Sequence, residues 1–120
     1  MEKESGVKNV IVELSFEFAV DVIRYTEQLE NLRKYNLSNQ LFRSGTSIGA
    51  NVNEAQGAES RADFIHKMKI AYKEAQETSY WLNLCAVSKT YPDPQNLISK
   101  AGTIQKILGK ILATSINKRS

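Results

Sequence analysis

The chain has 120 residues, 42% apolar and 24% charged, with two prolines, six glycines, one cysteine and a formal net charge of +3. That length fits one domain over 1–120 with a single modest core, and the apolar content excludes a disordered chain. The lone Cys85 excludes an internal disulfide, no stretch approaches the roughly 20 apolar residues of a membrane span, and the opening MEKESGVKNV lacks the apolar run of a secretion signal.

A cytoplasmic protein is therefore expected, and the Asn36-Leu37-Ser38 glycosylation sequon is set aside. In the first segment Val12, Leu14, Phe16, Phe18 and Val20 alternate with more polar or smaller neighbours, which imitates a strand. A longer line, Ile11, Leu14, Phe18, Val22, Tyr25, Leu29 and Leu32, keeps helical spacing. No second strand is on offer elsewhere, so a helix over about 10–32 is expected. Phe16, Val20 and Ile23 widen its apolar surface beyond one stripe, a mark of contact with another subunit.

The second segment contains RSGTSIGANVNEAQG, whose glycines and hydroxyls resemble a phosphate-binding loop. Leu37, Leu41, Ile48, Val52 and Ala55 nevertheless hold a helical phase straight through those glycines. A helix over about 35–57 follows, with Gly45 and Gly49 as helix-packing residues flanking the stripe. Arg43, Ser47, Asn51 and Glu54 form a polar stripe on the other side. Arg43 is expected to pair with Glu54 or a neighbouring helix.

Ser60 with Asp63 forms a capping box that opens a third helix, about 61–90. Phe64, Met68, Ala71, Ala75, Thr78, Leu82 and Cys85 step by fours and threes along it, and Tyr91-Pro92-Asp93-Pro94 ends it. A last helix, about 94–117, carries Leu97, Ala101, Ile104, Leu108 and Ile111. Gly102 and Gly109 lie seven apart in it, where close contact with a neighbour is expected. Four helices with short connections predict an all-α, antiparallel up-down four-helix bundle.

Charge is laid out unevenly. Residues 1–30 hold seven acids against three bases, whereas 97–120 hold Lys100, Lys106, Lys110, Lys118 and Arg119 and no acid. In up-down order the first and last helices are neighbours, so mutual neutralisation is expected to outweigh a nucleic-acid-binding tail.

Chemistry-bearing constellations are sparse. A di-metal bundle needs paired Glu-x-x-His units, and the counterpart here is Asp63-x-x-His66 alone, so neither metal nor cofactor is expected. Cys85 falls on the apolar stripe and reads as a buried, inert thiol. Arg61 and His66 fit the Arg-x4-His pattern of HEPN ribonucleases, which makes RNA cleavage an alternative reading. Tyr72, Tyr80, Trp81 and Tyr91 near Lys67, Lys69 and Lys73 offer base stacking, with packing the stronger expectation.

The block Leu41 to Ala55 resembles the signature of the 23S rRNA intervening-sequence protein family, also called the four-helix bundle protein family. Arg43, Ser44, Ser47, Ile48, Asn51, Val52, Glu54 and Ala55 match it in register. Ser60 to Ala71 and Ala75-x-Glu77 resemble the family's third helix, and Leu14 to Ala19 its first. The resemblance implies a small bundle with no established catalytic role, whose genes were first noticed inside rRNA insertions. It also implies a homo-oligomer, since some members are homopentamers. A related branch, the accessory proteins of diversity-generating retroelements, forms a basic pentameric barrel that engages nucleic acid; the low net charge and acidic first helix depart from it.

The expected function is thus a non-enzymatic oligomeric scaffold, a homopentamer, with weak RNA or DNA association. Arg43, Lys100, Lys106 and Lys110 are its candidate phosphate contacts. A protein–protein adaptor is the remaining alternative.

Overall fold

A computed structural model describes the backbone of residues 6–119 and the side chains of 10–117. Four helices account for nearly all of it: α1 (Gly6–Asn31), α2 (Tyr35–Ala55), α3 (Arg61–Val87) and α4 (Gln95–Arg119), with no strand among the described residues. None is long and apolar enough to cross a membrane. The charges expected at Lys118 and Arg119, and those before residue 10, lie outside the described side chains.

Residues 12–20 are helical because the alternation buries nothing a sheet could use. The longer helical line instead buries Ile11, Phe18, Val22, Tyr25 and Leu29, with Leu14 half-buried. Each other helix contributes its expected stripe. Leu41, Ile48, Val52 and Ala55 come from α2; Met68, Ala71, Ala75, Leu82 and Cys85 from α3; Leu97, Ala101, Ile104, Leu108 and Ile111 from α4.

The interhelical pairs fix the direction of every neighbour. Going up α1 through Ser15, Val22 and Thr26, the partners on α2 run down through Gly49, Gly45 and Ser38. Up α2 through Ser44 and Glu54, the partners on α3 run down through Thr78 and Lys67. Tyr72 and Ser79 of α3 meet Gly109 and Gln105 of α4, again in reverse. α4 closes the square against α1, where Lys100 bonds Asp21, and the backbones of the diagonal pairs stand farther apart than those of neighbours. The fold is an antiparallel up-down four-helix bundle about 48 Å long.

The helix ends show local chemistry at work. The α1–α2 turn is a Schellman motif: Lys34 N–H donates to the Leu29 carbonyl and Arg33 N–H to that of Glu30. The left-handed position is Arg33, φ 63°, where glycine is usual. Ser60 Oγ accepts from Asp63 N–H, while the Asp63 carboxylate accepts from Glu59 N–H, so the capping box closes one residue early. α3 stops at Val87, short of 90, because Ser88 is already extended and its hydroxyl donates to the Leu84 carbonyl. Tyr25 then pins the following loop by donating to the Pro92 carbonyl at 2.7 Å.

The four glycines singled out in the sequence divide into two pairs. A Cβ on Gly45 would lie 2.8 Å from Val22 Cγ2, and one on Gly49 would lie 3.1 Å from the Ser15 carbonyl oxygen. Both therefore set the close α1–α2 approach. Gly102 and Gly109 do not play this part within the chain, since a Cβ at Gly102 meets nothing within 4 Å and one at Gly109 makes ordinary contact with Tyr72.

Gly49→Ala faces backbone that cannot rotate away, and is expected to lower stability by about 1–3 kcal/mol. Gly102→Ala is expected to raise it by up to about 1 kcal/mol, since helix propensity alone changes. Arg33→Gly relieves the left-handed side chain and is expected to add about 1 kcal/mol. Urea denaturation midpoints check all three, and equal midpoints for the two alanine variants would refute the packing assignment.

Candidate functional site

The polar stripe of α2 faces the groove between α2 and α3. Arg43 forms an ion pair with Glu77, and its second terminal nitrogen lies 3.7 Å from Glu74 Oε1. Glu77 Oε2 also accepts from the Trp81 indole N–H at 3.0 Å. The Arg43 partner is thus on the neighbouring helix, not Glu54. Glu54 instead binds Lys67 at 2.8 Å and holds that ammonium's pKa above its ordinary value.

Behind the ion pairs the seam is buried. The Ser44 and Thr78 hydroxyls are hydrogen-bonded at 3.0 Å, and Thr78 Oγ1 lies 2.7 Å from the Glu74 carbonyl oxygen. Along the stripe, Ser47 Oγ donates to the Arg43 carbonyl and Asn51 Nδ2 to the Ser47 carbonyl, each one turn back. These bonds spend the polar groups on their own helix. Half-buried Trp81 packs against the core and meets Tyr80 edge to face, with ring centroids 5.2 Å apart.

Glu74 is the least comfortable group here. Its Oε1 is buried and takes no hydrogen bond among the described residues. Burial raises its carboxyl pKa, the Arg43 charge pulls it down, and the Glu77 charge adds to the rise. Deeper in the bundle, burial likewise raises the Tyr25 phenol and the Cys85 thiol, which lie within hydrogen-bonding reach of each other. Cys85 is a core residue with its reactive form disfavoured.

The other candidates are scattered. Lys100 is bound to Asp21 at the α1–α4 edge, and Lys106 and Lys110 stand exposed one turn apart on the outside of α4. Arg43 is on the far side of the bundle from them, so the four bases form no common patch. Arg61 and His66 are both exposed, yet five residues apart they project about 140° apart around α3. Tyr72, Trp81 and Tyr91 are half-buried, and Lys34 covers the Tyr91 ring, so exposed Tyr80 makes no stacking platform with them. No group of three or more His, Cys, Asp or Glu able to hold a metal occurs among the described residues. A shallow groove lined by Leu14, Phe18, Lys100 and Thr103 separates α1 from α4; at about 230 Å³ it is smaller than the usual ligand pocket.

Glu74, Trp81 and the Ser44–Thr78 pair were missed as site residues. One signal was available, since a threonine at a core position demands a buried polar partner. Nothing in the spacing identified that partner as Ser44.

Fold and seam together define a bundle whose polar residues tie helices to each other. A family model for the 23S rRNA-intervening sequence protein matches residues 7–110, and the chain belongs to that family. It is also similar to a solved structure described as a protein of unknown function from the S23 ribosomal protein family of Bacteroides thetaiotaomicron VPI-5482. The two are 43% identical with a TM-score of 0.84, and the match covers 89% of this chain and 98% of that one. No curated protein matches the chain. Neither the family nor this neighbour carries a known activity.

Because Glu74 holds its proton in the folded chain at pH values where the unfolded chain has lost it, the stability it contributes is lost as pH rises through that gap. Relative to Glu74→Gln, the wild-type urea midpoint is therefore expected to fall as pH rises from below the ordinary carboxyl value of about 4.3 toward neutrality. A pH-independent difference would mean that the carboxylate titrates as if exposed.

Proposed function

We propose that the chain is a non-catalytic scaffold that works as a homo-oligomer, the family resemblance pointing to a homopentamer, and that its contact with nucleic acid is weak and limited to phosphates. One observation carries the reading. Phe16 is 68% exposed and Ile23 38% exposed on the side of α1 turned away from the core. With half-buried Val20 between them they make one contiguous apolar strip, and a contiguous exposed apolar patch is a mark of a macromolecular contact.

For nucleic acid, Lys106 and Lys110 are the stronger candidates, since neither has an ion pair among the described residues. Arg43 and Lys100 already have carboxylate partners, so each would exchange one ion pair for another. A few phosphate contacts give binding that weakens steeply with salt.

The native mass of the purified protein and its ultraviolet absorbance ratio test both parts. A mass several times 13.5 kDa is expected, with an absorbance ratio that returns to that of pure protein after a salt wash. A clean monomer at low micromolar concentration would refute the scaffold. RNA cleavage by the wild type that is lost in His66→Ala would overturn the non-catalytic reading.

A further inference from the structure

The exposed surface holds a second set of helical seams beside those that build the core. On α1, Glu13, Phe16, Val20, Ile23, Glu27 and Glu30 follow one another at steps of three and four. Its middle is apolar, and exposed glutamates stand at both ends with no ion pair among the described residues. On α3, Ile70, Lys73, Glu77, Tyr80, Leu84 and Val87 keep the same spacing. Tyr80 is 59% and Val87 77% exposed, with Leu84 half-buried between them and Ile70 half-buried at the start of the seam. Glu77 turns aside to Arg43. The charges left along this seam are Lys73 and the adjacent Lys69, both exposed and without ion pairs among the described residues.

Each seam lies on the side of its helix away from the buried stripe, and α1 and α3 occupy diagonal corners of the bundle. The two faces therefore cannot meet within one chain. We infer that the outer seam of α1 packs against the outer seam of α3 in a second copy of this chain, head to tail. This rests on the assembly reading above and names the surfaces that make it.

Charge selects that pairing over the symmetric ones. An α1–α1 contact would join two faces whose charges are all glutamates, and an α3–α3 contact would join two faces whose unpaired charges are the lysines Lys69 and Lys73. Like charges in close contact are destabilising, whereas α1 on α3 sets glutamates beside lysines. Every copy offers one face of each kind, so the contact is heterologous and repeats from copy to copy, closing into a ring where the rotation between neighbours allows it. Phe42, 47% exposed and seven residues from Gly49 on the same line of α2, borders the α1 face.

Cysteine cross-linking tests the pairing. Ile23 and Tyr80 occupy corresponding places in the two seams, so Ile23→Cys, Tyr80→Cys and the double variant are oxidised under mild conditions, with the wild type as control; Cys85 is buried and stays out of the exchange. The double variant is expected to give a ladder of covalent multimers on a denaturing gel, and each single variant none. Cross-linking of Ile23→Cys alone, or no ladder from a double variant whose native mass is that of an oligomer, overturns the α1–α3 contact and leaves the scaffold standing. A monomeric native mass overturns both. Phe16→Asp is expected to reduce the wild-type assembly at least tenfold with unchanged helical circular dichroism, and an undiminished assembly would equally refute the contact.

Discussion

Gly49 approaches Ser15 so closely that a single methyl group there would press on a backbone carbonyl, and one turn earlier Gly45 leaves room only for Val22. This crossing sets the position of α2. Once α2 is held that near α1, its opposite edge presents Arg43, Ser44 and Glu54 to α3, and three kinds of bond close on them. Ser44 meets Thr78 in the interior, Arg43 meets Glu77 at the rim, and Glu54 reaches Lys67 toward the end. Exposed ion pairs are individually worth little. The buried hydroxyl pair matters more for register, because a slip along α3 would take Thr78 away from the buried Ser44 hydroxyl, while Thr78 keeps its bond to the Glu74 carbonyl.

That dependence explains which features were legible in the sequence. Periodicity carries the burial stripes, and it ran unbroken through the glycines of α2, so helix prevailed over loop. Ser60 and Asp63 announced the start of α3. Two kinds of feature stayed hidden. Arg33 adopts a left-handed conformation without the glycine that usually signals it, so the turn shows in the sequence only as a gap between two phases. The α3 carboxylates were hidden for a different reason: spacing shows which face a residue shares, but the partner across a groove depends on the offset between helices. That offset is set by Gly49, Gly45 and the α1–α2 turn. The same limit applies to Gly102 and Gly109, whose resemblance to the packing pair ends once α4 is placed.

The acidic first helix and basic last helix are adjacent, yet adjacency cancels little of their charge. Asp21 and Lys100 pair across the edge, while Lys106 and Lys110 point outward from α4 and Glu13, Glu27 and Glu30 outward from α1. A modest net charge thus conceals separated fields. Such separation would let the glutamates of one copy face the lysines of another, which is the complementarity that the proposed assembly uses.

The eight residues of α2 that match the family signature all have structural employment. Ile48, Val52 and Ala55 are core; Ser44 and Arg43 are bonded to α3; Ser47 and Asn51 bond their own helix; Glu54 holds Lys67. A residue committed in this way is poorly placed to bind a partner, because the partner must first displace an existing bond. The signature thus identifies the fold and says nothing of what the fold is for. Whatever distinguishes this chain from another bundle of its family lies where the signature is silent, on the outward faces of α1, α3 and α4. There Phe16, Tyr80 and Lys106 have no structural duty that the interior of the bundle would miss.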